Sequence, residues 1–191
     1  SQITAKVKLV SGTAILKVAS AQQISLAIAP TAVQIAAQTS TQLTATGTFV
    51  DGSVQDLTTA VQWSSSSPSV ATVGAQTGTV SGLAAGKSTI TATLGSVTST
   101  TQVTVTNATL ASISISPVSP SIAMGTSQQF AATGTFSDNS TQPLLDASWS
   151  SSNPAIAAVN GSGLATSTGV GTATIMATLN GISGSTNLTV H

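Results

Sequence analysis

The feature that most constrains the fold of this chain is a stretch of 11 residues that occurs twice. Residues 63–73 read W-S-S-S-S-P-S-V-A-T-V, and residues 149–159, which begin 86 positions later, read W-S-S-S-N-P-A-I-A-A-V. An internal period of this length in a chain of 191 residues predicts two tandem domains of similar fold.

The residues around the repeated stretch recur in the same order, which sets the domain boundaries. Phe49 and Asp51 return 87 positions later as Phe136 and Asp138, whereas Gly86 returns 85 positions later as Gly171. The drift from 87 to 85 places short deletions in loops, where they are tolerated. We therefore predict a first domain at residues 21–106, a second at 107–191, and a separate segment at 1–20.

Short stretches with alternating apolar residues fill both copies, and turn residues separate them every 8 to 12 positions. This pattern is typical of an antiparallel β-sandwich and predicts an all-β fold of about seven strands per copy. The connection at residues 106–109 is short and contains neither Gly nor Pro, so we expect the two sandwiches to stand end to end as a rod.

The N-terminal segment resembles the end of a copy rather than its beginning. Its apolar residues align with the last two strands of the later copies and are Ile3, Ala5, Val7, Leu16 and Val18. We interpret residues 1–20 as the C-terminal hairpin of a preceding repeat, in a chain that reads as a mature or excised piece. The alternatives are an assembly segment donated to a neighbouring molecule and a hairpin packed back on the first domain. Because Lys8-Leu9 stands where the later copies have turn residues, the turn is expected at Ser11-Gly12, or else the segment is one longer strand.

The charge pattern excludes several classes of partner. Charged residues make up 4% of the chain, and four Lys balance four Asp. Nucleic-acid binding needs clusters of Lys or Arg, which are absent, so we expect no nucleic-acid partner. No apolar run is long enough to cross a bilayer. Copies of a chain with so little charge repel each other only weakly, which favours self-association. So little charge is also unusual for a cytoplasmic protein, which favours an extracellular location.

Few residues of this chain could take part in catalysis or metal binding. Asp51, Asp56, Asp138 and Asp146 are the carboxylates, and we read them mainly as turn caps, with weak calcium binding as the alternative. A nucleophilic Ser needs a base beside it, and Lys87 and the terminal His191 are poor candidates for that role. The sequence therefore predicts no catalysis and no cofactor.

The run W-x-S-S-x-x-P-x-[VI]-A-x-V, the following T-G-x-V or S-G-L-A, and a last strand ending in V-T-V or L-T-V resemble the group 2 bacterial immunoglobulin-like domain. The resemblance spans both copies and the N-terminal segment. It implies a seven-stranded Ig-like sandwich without a disulfide, used in intimin- and invasin-like surface proteins as a spacer or adhesive module. It carries no shared catalytic residues.

Within the repeated stretch we predict a core signature rather than a ligand site, formed by Trp63, Val70, Val73, Trp149, Ile156 and Val159. Two functions stay open from the sequence. The leading hypothesis is a stalk or fibre repeat of a bacterial surface protein, self-assembling through residues 1–19. The alternative is an adhesin whose end loops recognise carbohydrate or a surface protein. An exposed aromatic cluster would favour the adhesin, but the aromatic residues fall on predicted core faces.

Overall fold

The computed structural model describes residues 2–7, 10–15 and 23–191, and the side-chain surroundings of residues from 25 onward. The described residues form strands and turns without a helix, as the alternating apolar pattern predicts. Within this part of the chain, therefore, no helix has the length and apolar character that crossing a membrane requires.

The N-terminal segment forms a hairpin of its own, with strands β1 (Gln2–Val7) and β2 (Val10–Ile15). Val7 pairs with Val10, and Lys6 pairs with Ser11, so the prediction of a turn at Ser11-Gly12 is wrong, as is that of one long strand. The side chains of the predicted assembly segment lie outside the described residues, as do residues 16–22 as a whole.

The first sandwich consists of ten consecutive strands, which are β3 (Gln23–Ala29), β4 (Ala32–Ala36), β5 (Ser40–Gln42), β6 (Thr44–Phe49), β7 (Val54–Asp56), β8 (Gln62–Ser65), β9 (Ala71–Val73), β10 (Thr79–Gly82), β11 (Gly86–Leu94) and β12 (Val97–Thr106). Its sheets have the strand orders β4-β12-β11-β8, β3-β6-β7 and β5-β10-β9. Strands β5 and β6 are separated by one residue, Leu43, whose side chain is fully buried and whose N–H donates to the carbonyl of Gly78.

The second sandwich repeats the pattern in β13 (Leu110–Ser116), β14 (Ser121–Ile122), β15 (Ser127–Gln129), β16 (Ala131–Phe136), β17 (Thr141–Pro143), β18 (Ser148–Ser151), β19 (Ala157–Val159), β20 (Leu164–Ser167), β21 (Gly171–Leu179) and β22 (Ile182–Val190). The sheet orders β14-β22-β21-β18, β13-β16-β17 and β15-β20-β19 correspond strand by strand to those of the first sandwich. The final hairpins share one register, since Leu94 pairs with Val97 and Leu179 with Ile182, as Val7 pairs with Val10.

Each sandwich buries its alternating apolar residues between its sheets. In the first, Leu43, Val61, Val80, Ile90 and Val103 are fully buried. Because β4 runs parallel to β12 and pairs Ala36 with Thr106, the two strands finish at the same end of the sandwich. The chain therefore leaves the first sandwich at the end where β4 and β12 finish, and the next sandwich starts from there.

Candidate functional site

The carboxylates act as turn caps. Asp51 Oδ1 accepts hydrogen bonds from the N–H of Ser53 at 2.9 Å and its hydroxyl at 2.7 Å, and Asp138 accepts the same pair from Ser140 at 3.0 Å and 2.5 Å. Asp56 Oδ1 accepts from the N–H of Thr58 at 2.8 Å. These bonds, led by those of the Ser and Thr side chains, lower the pKa of all three Asp carboxyls below the usual value.

The carboxylates are not brought together into a metal site. Among the described residues, no three His, Cys, Asp or Glu side chains group closely enough to hold an ion. Asp138 and Asp146 lie at opposite ends of β17 and its flanking turns, and both are exposed. Calcium takes six to eight oxygen ligands, and a carboxylate already engaged in a turn offers few of them.

The hydroxyls and bases also stay apart or lack an orienting group. Lys87 and Ser88 are neighbours on β11, so their side chains lie on opposite faces, with Lys87 exposed and Ser88 buried against Ser65 at 2.8 Å. His191 Nδ1 is 3.0 Å from the Ser121 hydroxyl on an exposed edge. In the described chain its ring makes no further hydrogen bond, so no third residue orients it as a catalytic base requires.

The residues of the core signature lie in or against the two cores. The indole of Trp63 is 5% exposed, and its Nε1–H donates to the carbonyl oxygen of Thr58 at 2.9 Å. Val70 and Val73 pack against the same core, and Trp149, Ile156 and Val159 pack against the second. Trp63 is therefore enclosed, whereas Trp149 is half-buried and lines a groove of about 280 Å³ beside Phe130.

The arrangement that does bring distant residues together is the junction between the sandwiches. The side-chain amide of Gln142, on β17 of the second sandwich, reaches the turn between β4 and β5 of the first. Its Nε2 donates to the hydroxyl oxygen of Thr39 at 2.5 Å, and its Oε1 accepts from the N–H of Ala36 at 3.4 Å. The Thr39 hydroxyl in turn donates to the carbonyl of Ala36 at 2.7 Å. One amide thus engages both a donor and an acceptor of the neighbouring domain.

The junction is also packed. Ala36 and Thr39 are each 3% exposed, and Ala36 belongs to the apolar cluster of the second sandwich rather than to that of the first. Burying a hydroxyl is unfavourable unless it is hydrogen-bonded, and the Thr39 hydroxyl both donates to the Ala36 carbonyl and accepts from the Gln142 amide. Among the described residues, every buried side-chain polar atom has a partner.

The linker is held by hydrogen bonds on both sides. The N–H of Ala37 donates to the carbonyl of Thr106 at 3.0 Å. Thr109 and Ser137 are bonded reciprocally, since the N–H of Ser137 donates to the Thr109 carbonyl at 2.9 Å and the Ser137 hydroxyl accepts from the Thr109 N–H at 3.1 Å. These bonds fix the two ends of the linker, Thr106 and Thr109, each to its own sandwich.

Two open grooves flank the junction. One has a volume of about 300 Å³ between residues 37–39 and 107–110, and the other about 440 Å³ between β4 and the β16–β17 hairpin. Neither is lined by a charged residue, a Trp or a His. Such linings offer amide, hydroxyl and methyl groups, which suit contact between domains better than they suit capture of an ionic ligand.

The repeated strand order and the end-to-end contact define a tandem pair of Ig-like β-sandwiches. Residues 22–105 and 109–190 each match the family described as bacterial Ig-like domain (group 2), and the chain belongs to that family, as the sequence resemblance indicates. The family is non-enzymatic, in agreement with the prediction of no catalysis.

One curated relative is Ice-binding protein 1 of Shewanella frigidimarina (strain NCIMB 400), which is 43% identical over 181 residues. The match covers 94% of this chain and 20% of that protein, so the chain spans a fifth of the relative's length. Domains 5-6 of the S-layer protein SbsC are 20% identical, cover 90% of this chain and 98% of theirs, and superpose with a TM-score of 0.49. A C-terminal fragment of intimin in complex with its receptor domain is 16% identical over 90% of this chain and 65% of that fragment, with a TM-score of 0.34.

The junction was not predicted from the sequence. Gln142 and Thr39 are 103 positions apart, and each reads by itself as a polar turn residue. A signal was nevertheless present, because Gln55 precedes Gln142 by 87 positions, and the Ala36 and Thr39 pair returns 87 positions later as Ala123 and Thr126. Polar residues on solvated turns have little reason to recur in both copies unless they make a contact.

Proposed function

We propose that this chain is a non-catalytic spacer, a stiff pair of Ig-like domains that holds another part of a longer protein at a distance outside the cell. The observation that carries the proposal is the Gln142 junction, which ties the end of one sandwich to the start of the next. Proteins of this kind are typically extracellular or at the cell surface. In the ice-binding relative, the matching segment is one fifth of the chain, so we assign ligand contact to other parts of such a protein.

The surface of the chain supports a spacer rather than a receptor. The described charged side chains are Lys87 and the four Asp, and three of those Asp are engaged in their own turns. The grooves at the junction carry no charged or Trp side chain that would orient a ligand. A near-neutral surface offers little electrostatic attraction to charged partners, which suits a segment that serves as a spacer.

The test combines two measurements on the purified chain. Small-angle X-ray scattering should give a maximum dimension of two sandwiches placed end to end, unchanged by dilution. Slow growth of an ice hemisphere in the protein solution should leave the chain in the liquid. Enrichment of the chain in the ice would make it a binding module, and a scattering profile of two domains moving freely would contradict the spacer.

Fibre formation through residues 1–19 stays a separate prediction. Negative-stain images of the chain at several concentrations, with and without residues 1–19, test it. Filaments that require this segment would make the chain a fibre subunit, whereas single short rods at every concentration would rule out assembly through it.

A further inference from the structure

Each half of the occupied junction is repeated in the other sandwich. Gln55 pairs with Gly47 between β7 and β6, as Gln142 pairs with Gly134 between β17 and β16. Ala123 and Thr126 lie between β14 and β15, and their counterparts are Ala36, the last residue of β4, and Thr39, in the turn that follows. The chain therefore carries one complete junction and two further halves of it, one on each sandwich.

The half on the second sandwich is already folded in the binding conformation. The Thr126 hydroxyl donates to the carbonyl of Ala123 at 2.7 Å, the same distance as from Thr39 to Ala36. The N–H of Met124 donates to the carbonyl of His191 at 2.9 Å, which repeats the bond from Ala37 to Thr106 at 3.0 Å. The backbone of the turn is also anchored to β20, since the N–H of Ser167 donates to the Thr126 carbonyl at 3.0 Å.

The two turns differ in what covers them. Ala36 and Thr39 are buried by the second sandwich, whereas Ala123 and Thr126 are exposed and Met124 is 56% exposed beside them. The uncovered turn thus offers a free N–H at Ala123, a hydroxyl oxygen at Thr126, and an apolar side chain between them. These are the groups that the first turn presents to a Gln side chain, with Met124 added.

The matching half on the first sandwich is also uncovered. Gln55 is exposed, and Val50 and Val54 on either side of its hairpin are each 63% exposed. An amide flanked by two exposed Val side chains is complementary to an Ala and Thr turn bearing a Met. Because the two halves lie on different sandwiches and are two different surfaces, the contact between them is heterologous and extends in line.

We propose that the turn at residues 123–126 is a docking surface for the glutamine-bearing end of a further Ig-like domain of this family, joined in line after the second sandwich. This inference rests on the proposed spacer function and extends it to longer arrays. The partner is identified by its chemistry, a Gln at the position of Gln142 on a β-hairpin at the near end of the domain. A flexible connection at this point would let successive domains move independently, whereas docking holds them in line as a continuous rod.

The experiment joins a second copy of residues 107–190 directly after His191, which reproduces the Thr106-Asn107 connection of the existing junction. The chain contains no Cys, so two introduced Cys residues can be spin-labelled uniquely. Ser64 and Ser150 are exposed residues at equivalent positions of β8 and β18. One sample carries Ser64→Cys with Ser150→Cys, and the other carries Ser150→Cys with the same change in the added copy.

Double electron-electron resonance then measures both junctions in the same three-domain protein. We expect the two pairs to give the same mean distance and distributions of the same width. Thr126→Val should broaden the new distribution at least twofold and leave the existing one unchanged, and Thr39→Val should do the reverse. The Trp fluorescence of each variant checks that its sandwiches are folded.

Two results would contradict the inference and are distinguishable. A broad distribution at the new junction beside a narrow one at the existing junction overturns the docking surface and leaves the spacer function intact. Broad distributions at both junctions overturn the spacer function and the docking surface together. A narrow new distribution that Thr126→Val does not change would show that other contacts hold the domain, and this too overturns the assignment.

Discussion

The side-chain Nε2 of Gln142 lies 2.5 Å from the hydroxyl oxygen of Thr39, across the boundary between two separately folded sandwiches. The Thr39 hydroxyl, on a residue that is 3% exposed, already donates to the Ala36 carbonyl, so the Gln142 amide fills its acceptor role. A hydrogen bond of this kind contributes about 0.5–1.5 kcal/mol net. The same amide also accepts from the Ala36 N–H, so one side chain supplies two hydrogen bonds across the boundary.

The two sandwiches should depend on glycines beneath their Trp residues. At Gly163 a Cβ would lie 2.6 Å from the carbonyl oxygen of Phe130 and 2.9 Å from the Trp149 ring, and φ is +81°. Gly181 has the same φ of +81° with nothing within 4 Å. Gly181→Ala should therefore cost about 1 kcal/mol of unfolding free energy from backbone strain, and Gly163→Ala at least about 2 kcal/mol more.

Chemical denaturation in a Trp63→Phe background reports these losses, because Trp149 is then the sole Trp and lies in the second sandwich. Equal losses for the two Ala variants would show that the space under the indole is not limiting.

Trp63→Phe should destabilise the first sandwich more than Trp149→Phe destabilises the second. Trp63 is 5% exposed, and its Nε1–H satisfies the Thr58 carbonyl, whereas Trp149 is only partly buried. Leaving the Thr58 oxygen without a donor costs about 1–3 kcal/mol in addition to the lost packing. Far-UV circular dichroism in denaturant measures the free energy of unfolding of both variants. A larger loss of this free energy for Trp149→Phe would contradict the ranking.

The capped turns should make stability fall in acid. The Ser140 hydrogen bonds lower the folded-state pKa of Asp138 below its ordinary value of 3.8, so the stabilisation is present above that value. It is lost as the pH falls through the lowered folded-state pKa, where the carboxylate gains a proton. Asp138→Asn should lower the melting temperature near neutral pH, and the gap from the natural chain should close in acid. Ser140→Ala should reduce the difference in melting temperature that Asp138→Asn produces. A difference that widens in acid would contradict the predicted direction of the pH dependence.

Much of the fold could be predicted because side-chain periodicity reports local burial. The alternation through Ala45, Gly47 and Phe49 marks β6, and the same alternation through Ala132, Gly134 and Phe136 marks β16. The difference in burial between Trp63 and Trp149 was harder to predict from the sequence. The segment from Asp56 to Trp63 is one residue longer than that from Pro143 to Trp149, and it includes Thr58, whose carbonyl receives the Trp63 N–H. A single loop deletion therefore changes how deeply an otherwise identical Trp is buried.

The candidate site could not be predicted from local patterns, for a physical reason. A domain contact joins turns, where hydropathy alternation carries no signal, and Gln142 looks the same as the exposed Gln55 until its partner is placed. The N-terminal hairpin shows the converse limit. Its strands pair Val7 with Val10 although the sequence predicts a turn at Ser11-Gly12, because pairing along the strands sets the register.

The measurement that tests the stiff spacer most directly is a set of residual dipolar couplings from both sandwiches of the 18.6 kDa chain in a weakly aligning medium. In the natural chain, the couplings of residues 23–106 and 110–190 should fit one common alignment tensor. In the Gln142→Ala variant they should need two tensors of unequal magnitude, with each sandwich still folded. Two tensors in the natural chain, or one tensor retained in the variant, would contradict the role assigned to Gln142 and Thr39.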